Sequence, residues 1–275
     1  MNTEVEVVRV RKLIVLLVAV AVLAPMAASA GASSTSARSD CAKLRAAMGA
    51  AAFSQAYTTF GACVSRYAPI EQQVTSSANA TCTAQQADPD FAATHGGKTF
   101  DQFYGSGKKE RNAFNNCLSI VAKANRQAEQ QGRMNPAQTC RAIRTRLTAS
   151  LFDLSYGKNK NDRNAFGKCV SATARLQAHN ELSASATCST EQSDPSFAGN
   201  HGGQTFDQFY GTNADQSNAF GKCVSSTAKA ASTVHTQAIV HAARTCKAQR
   251  RSDPAGLKTK YKRFSARVKD LSSNS

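Results

Sequence analysis

The sequence predicts an all-α protein, an array of short disulfide-stapled helical repeat units joined by helical spacers. Three observations predict it. A block returns nearly unchanged at Asn112-Ala113-Phe114-Asn115-Asn116-Cys117, Asn164-Ala165-Phe166-Gly167-Lys168-Cys169 and Asn218-Ala219-Phe220-Gly221-Lys222-Cys223, with a shorter echo at Phe60-Gly61-Ala62-Cys63. An aromatic pair four residues apart precedes each copy: Phe53/Tyr57, Phe100/Tyr104, Phe152/Tyr156 and Phe206/Tyr210. Residues four apart on a helix are neighbours, so each pair shares one face. The nine cysteines alternate between a position that opens a unit and one that closes it.

Residues 1–30 read as a secretory leader. Arg9, Arg11 and Lys12 precede the apolar run Leu13 to Leu23, and Ala28-Ser29-Ala30 offers small residues for cleavage. A membrane span needs about 20 apolar residues, and Pro25 interrupts this run early. Cleavage near Ala30 leaves a secreted or envelope-associated chain. In an oxidising compartment its cysteines are expected to form disulfides. Leu, Ile, Val and Phe number only 34 in residues 31–275, and there is no Trp. Such units have thin cores and depend on crosslinks and neighbours.

The expected organisation is a degenerate unit and spacer at 31–81, units with spacers at 82–139, 140–187 and 188–245, and a truncated unit with a basic tail at 246–275. Cys41, Cys82, Cys140, Cys188 and Cys246 open; Cys63, Cys117, Cys169 and Cys223 close. After the tyrosine, Gly105, Gly157 and Gly211 stand where a C′ glycine stops a helix. A polar loop such as 158–163 follows. Asn112, Asn164 and Asn218 are then placed to cap the next helix through their side chains. Phe and Cys three apart on that helix point the same way, which puts Phe166 in the core of its unit. The second and fourth units share Asp-Pro (Asp88-Pro89, Asp194-Pro195) and a His-Gly-Gly loop that the first and third lack. The order therefore reads as a duplicated two-unit block. Spacers of 19, 23, 19 and 23 residues are Ala-, Gln- and Lys-rich and differ by about one helical turn. Breaks are expected at Pro69 and around Gly132 to Pro136.

Disulfide partners must bring their Cα atoms within about 7 Å. A straight 19-residue spacer helix separates its ends by roughly 28 Å, which disfavours pairing across it. Pairing within units gives Cys41–Cys63, Cys82–Cys117, Cys140–Cys169 and Cys188–Cys223, with Cys246 left over. It requires the first helix of each unit to bend back, and Asp-Pro offers that bend only in the second and fourth. Pairing of like cysteines between units is the rival scheme. The pattern Phe-x-x-x-Tyr-Gly…Asn-Ala-Phe-Gly-Lys-Cys-Val-Ser resembles a repeat of uncharacterised exported proteins of high-GC Gram-positive bacteria. That resemblance implies a class and no activity.

No catalytic, metal or cofactor motif is present, so no cofactor is expected. His95 and His201, in His-Gly-Gly loops six residues ahead of Asp101 and Asp207, are the candidates for an enzyme or small-ligand site. Tyr104, Tyr156 and Tyr210 suit sugar stacking in principle, but their helical register with Phe assigns them to the core. Charge is the strongest global signal. The chain carries +16, and residues 244–275 hold ten Lys or Arg against two Asp. Within them Leu257, Tyr261, Phe264, Val268 and Leu271 fall within about 80° on a helical wheel, flanked by Lys258, Lys260, Lys262, Arg263, Arg267 and Lys269. A basic amphipathic helix of this kind suits anionic envelope polymers or acidic lipid surfaces, with no motif specific for nucleic acid. The alternative is that its stripe docks on the fourth unit while the charges face water. Two function classes therefore stand: a non-enzymatic interaction protein binding anions by charge, and an extracellular enzyme or ligand-binding protein using the histidine loops. Cys246, left over by the pairing, offers a link between two chains.

Overall fold

The computed structural model describes residues 30–107, 110–157, 164–261 and 263–273. Residues 1–29 of the leader expected at 1–30, the polar stretch at 158–163 and Lys262 lie outside them. Among the described residues the secondary structure is helical, in chain order α1 (Ala30–Met48), α2 (Ala50–Tyr57), α3 (Phe60–Ala87), α4 (Phe91–Thr94), α5 (Phe100–Tyr104), α6 (Ala113–Gly132) and α7 (Pro136–Leu147). There follow α8 (Ala149–Tyr156), α9 (Ala165–Gln192), α10 (Phe197–Asn200), α11 (Phe206–Tyr210), α12 (Ala219–Ser252), α13 (Pro254–Lys260) and α14 (Phe264–Ser273). A single isolated bridge, Ser106 to Arg111, is the extended pairing among them.

Four long helices form the centre. α3 packs on α6, α6 on α12, α12 on α9 and α9 on α3. Small side chains permit this, since Ala78, Ala122, Ala174, Ala178, Ala184 and Ala228 are all buried. Short side chains let helix axes approach, so a sequence poor in large aliphatics can still exclude water. α6 and α12 meet closely at Gly221, whose amide donates to Asn125 Oδ1 at 3.0 Å. A β-carbon on Gly221 would run into the Asn125 backbone. The shorter helices clothe this centre. α1 lies on α3, α2 on α9, α7 and α8 on α9, and α5 and α11 on α6 and α12.

Four disulfides join Cys41–Cys63, Cys82–Cys117, Cys140–Cys169 and Cys188–Cys223, with Cα separations of 5.9 to 6.0 Å. The bend that the first and third pairs need is made without proline. The chain turns between α1 and α2 at Gly49 (φ 81°, ψ 152°) and between α7 and α8 at Thr148 (φ 69°, ψ 151°). Each stands eight residues after its opening cysteine. Glycine adopts that conformation freely, while a β-branched threonine rarely does. Asp88-Pro89 and Asp194-Pro195 turn the chain in the other two pairs, where Asp88 and Asp194 accept from backbone amides two residues on.

Local expectations need four corrections. α3 runs straight through Pro69, while the break between α6 and α7 at Gly132–Pro136 is present. The loss of one helical hydrogen bond at Pro69 is offset by the burial of Tyr67, Ile70 and Val74 on the same helix. Gly105 and Gly211 end their helices at φ −68° and −66°, so they are not left-handed C′ residues. They are required by crowding, because a β-carbon there would strike Asp101 O and Glu110, or Asp207 O and Gln216. Asn112 and Asn218 do sit at N-caps, but without a capping side-chain bond. Asn218 spans its own loop instead, accepting from the Thr212 amide at 2.9 Å and donating to Thr212 Oγ1 at 3.0 Å. Finally, the buried face of the closing helix is Ala-x-x-x-Cys. Ala113, Ala165 and Ala219 are buried with their cysteines, and of the phenylalanines beside them, about 100° round the helix, Phe220 is buried while Phe114 and Phe166 are half-buried. Phe152, by contrast with Phe166, is fully buried.

That last correction gives an expected result. Phe152→Ala should cost about 3–5 kcal/mol, as for a fully buried ring, and Phe166→Ala clearly less. Paired thermal melts of the two variants check it. Equal losses would mean that Phe166 carries the core after all.

Candidate functional site

The histidine loops are built alike and inward-looking. In each, the ring lies flat on a phenylalanine four residues earlier: His95 on Phe91 at 3.7 Å, His201 on Phe197 at 3.8 Å. Nδ1 donates to the carbonyl of that same phenylalanine, at 2.9 Å for His95 and 2.8 Å for His201. A carbonyl only accepts, so Nδ1 holds a proton and Nε2 is the acceptor of the neutral ring. Phe103 and Phe209 close over the rings edge-on at 4.8 and 4.6 Å. Thr99 and Thr205 each form a reciprocal capping box with the glutamine three residues on. These interactions hold each histidine as a packing element at the end of its loop. Among the described residues no group of three or more His, Cys, Asp or Glu is placed to hold a metal ion. Asp207 is pushed up to about 6 by burial. Tyr104 is buried and Tyr210 half-buried, and their hydroxyls donate to Gln85 and Glu191 at 2.9 Å. This places those tyrosines in the core.

A cluster of charge that sequence patterns do not announce fills the centre. Arg133 caps α6 and reaches three carboxylates: Glu181 Oε1 at 2.9 Å, Glu129 Oε1 at 2.8 Å and Asp40 Oδ2 at 3.2 Å. Its guanidinium lies over the Tyr67 ring, 4.8 Å from the centroid. Gln130 donates to Asp40 at 2.7 Å, and Gln177 to Glu181 at 2.9 Å. Beside them Glu71 faces Arg126 at 3.1 Å. The planar fork of one arginine thereby ties α1, α6 and α9 together. Burial, with the nearby Asp40 charge, pushes Glu71 up to about 7 despite Arg126. Burial likewise raises Glu129, opposed by Arg133. A guanidinium wedged among the acids occupies the place a cation would take, and it suits the cluster to structure.

The C-terminal segment is a surface feature. The expected single helix is two, α13 and α14, separated at Tyr261–Arg263. α14 docks on α12 and α8, burying Val268 and half-burying Phe264 and Leu271. Arg267 is tied down, donating to the Tyr261 hydroxyl at 2.6 Å and to Asp270 at 2.9 Å. Lys258, Lys260, Arg263 and Lys269 are exposed. Cys246 is free and wholly buried, and burial raises its thiol pKa. A disulfide to a second chain through it therefore requires this packing to open.

No protein-family pattern, curated protein or solved structure matches the chain. Among the described residues no helix is long and apolar enough to cross a membrane.

Proposed function

We propose that the protein is an exported, non-enzymatic interaction protein that binds anionic polymers or surfaces of the cell envelope by charge, on a scaffold built from a duplicated two-unit block. The observation that carries the charge reading is where the acids lie. Asp40, Glu71, Glu129 and Glu181 are buried, paired with Arg133 and the part-exposed Arg126. These acids are turned inward and do not offset the lysines exposed elsewhere. The chain's exposed lysines at 258, 260 and 269 lie at one end. The duplication is supported by the equal spans of the second and fourth disulfides, 35 residues each, and by the matched capping boxes and histidine stacks. The leader at 1–30 supports export, and the resemblance to exported bacterial repeat proteins supports the setting.

Charge reversal tests it. The triple variant Lys258→Glu, Lys260→Glu, Lys269→Glu changes only exposed side chains and leaves the docked stripe intact. On an anionic support such as heparin or poly(glycerol phosphate), the wild type is expected to elute at clearly higher salt than the variant. Attraction between exposed charges is screened beyond about 8 Å at physiological ionic strength, so retention should fall steeply with salt. Retention indifferent to both salt and the substitutions would remove the reading.

A further inference from the structure

A groove at the junction of three helices combines charge with an apolar floor. It has a volume of about 320 Å³ and lies between the start of α8, the end of α12 and α14. Lys247, Arg250 and Arg251 stand along one side, exposed and on the last turns of α12. Leu151, Leu154 and Phe264 form the floor. The other wall is the N-terminus of α8, where Thr148 and Ser150 line the groove and Thr148 makes no capping side-chain bond. The first amides of a helix have no partner within it and carry partial positive charge. None of the lining residues is acidic.

The two halves of this lining ask for different things of one ligand. Three cations and a helix N-terminus select an anion, and arginine suits phosphate in particular because its fork binds two oxygens at once. A bare polyanion satisfies that half and gains nothing from Leu151, Leu154 and Phe264. A ligand whose phosphate continues into methylenes satisfies both. The volume lies at the lower end of the range for pockets that take small ligands, enough for a head group and the start of its chains.

We propose that this groove seats the head group of an acidic phospholipid, its phosphate between Lys247, Arg250 and Arg251 and the adjoining methylenes on Leu154 and Phe264. This rests on the anionic-surface reading above and specifies one site within it. The wider basic end, with Lys258, Lys260 and Lys269, then adds long-range attraction to the same surface, while the groove supplies preference for a lipid over a polymer.

The test is co-sedimentation of the oxidised protein with vesicles of phosphatidylglycerol and phosphatidylcholine, beside binding to soluble poly(glycerol phosphate). Two variants probe the groove without threatening the fold. Ser150→Asp puts a negative charge inside it, at a helix position where an acid is favourable. Leu154→Ala thins the floor at a half-buried site and leaves charge unchanged. Thermal melts verify that both remain folded. The expected result is that wild type binds the acidic vesicles, Ser150→Asp loses at least tenfold, and Leu154→Ala loses about fivefold, the order expected for apolar contact with a few methylenes. Binding to the polymer should change little in Leu154→Ala. If Leu154→Ala binds vesicles as wild type does, the floor is unused and the lipid site is wrong, while attraction by charge survives. Equal wild-type binding to polymer and vesicles, with Ser150→Asp unaffected, would overturn the lipid site in the same way. Binding to neither anion would overturn both proposals together.

Discussion

Arg133→Met is expected to destabilise the protein by at least about 3–5 kcal/mol at neutral pH. Removing one partner of a buried ion pair costs that much because the other charge is stranded, and here three carboxylates lose the same guanidinium. Methionine keeps the volume, so a cavity is not the cause. The pH dependence separates the electrostatic account from a packing one. A carboxyl whose folded pKa is raised binds its proton more tightly folded than unfolded. Its contribution to stability is complete below the unfolded value and is lost as pH rises to the folded one. For Glu71 that window runs from about 4.5 to about 7. Glu129 is raised by burial in the same direction, and Arg133 is the charge that restrains it. Without Arg133 it should rise further. The deficit of the variant should therefore be largest above pH 7 and shrink toward pH 5. Urea unfolding of both proteins at pH 5 and pH 8 measures this, and a deficit equal at the two pH values would refute the charge account.

Reduction of the four disulfides is expected to unfold the chain at 37 °C. The closed loops span 22, 35, 29 and 35 residues. Each is worth about 3 kcal/mol in the chain-entropy picture. Four together come to about 12 kcal/mol, comparable to the whole stability of an ordinary domain, about 5–15 kcal/mol, and alanine is the commonest residue of this core. Far-ultraviolet circular dichroism with and without reductant reads the outcome. A reduced protein that keeps its helical signal and melting temperature would show that the central helices suffice. Cys246, already free and buried, is unchanged by the treatment and does not confuse the comparison.

Helix, turn and cysteine register were legible in the sequence because they are set by neighbours. The four Phe/Tyr pairs spaced four apart all meet, with ring centroids 5.0 to 5.1 Å apart. That spacing needs nothing beyond the geometry of one turn. The apolar stripe of the tail was likewise readable, and its docking through Val268 follows from it. The break at Tyr261–Arg263 was not. The Tyr261 hydroxyl is held by Arg267 and Asp270, a closure that no periodicity encodes.

Which phenylalanine faces the core was misread for a related reason. The face of each closing helix is decided by what packs against it. Phe220 is buried and Phe166 only half so, although their local sequences agree. The buried charge cluster lies still further from local pattern. Arg133 stands 93 residues from Asp40 and 48 from Glu181, and a glutamate in an Ala- and Gln-rich helix reads as solvated. By itself the sequence determined an all-α chain, the register of its aromatic pairs and its excess of positive charge, since each is local or additive. Only the tertiary structure decided which acids are hidden, which cations remain outside and where α8 meets α12 and α14 to form a groove. Burial and ion pairing depend on segments brought together across the chain, and that meeting is written in no short stretch of it.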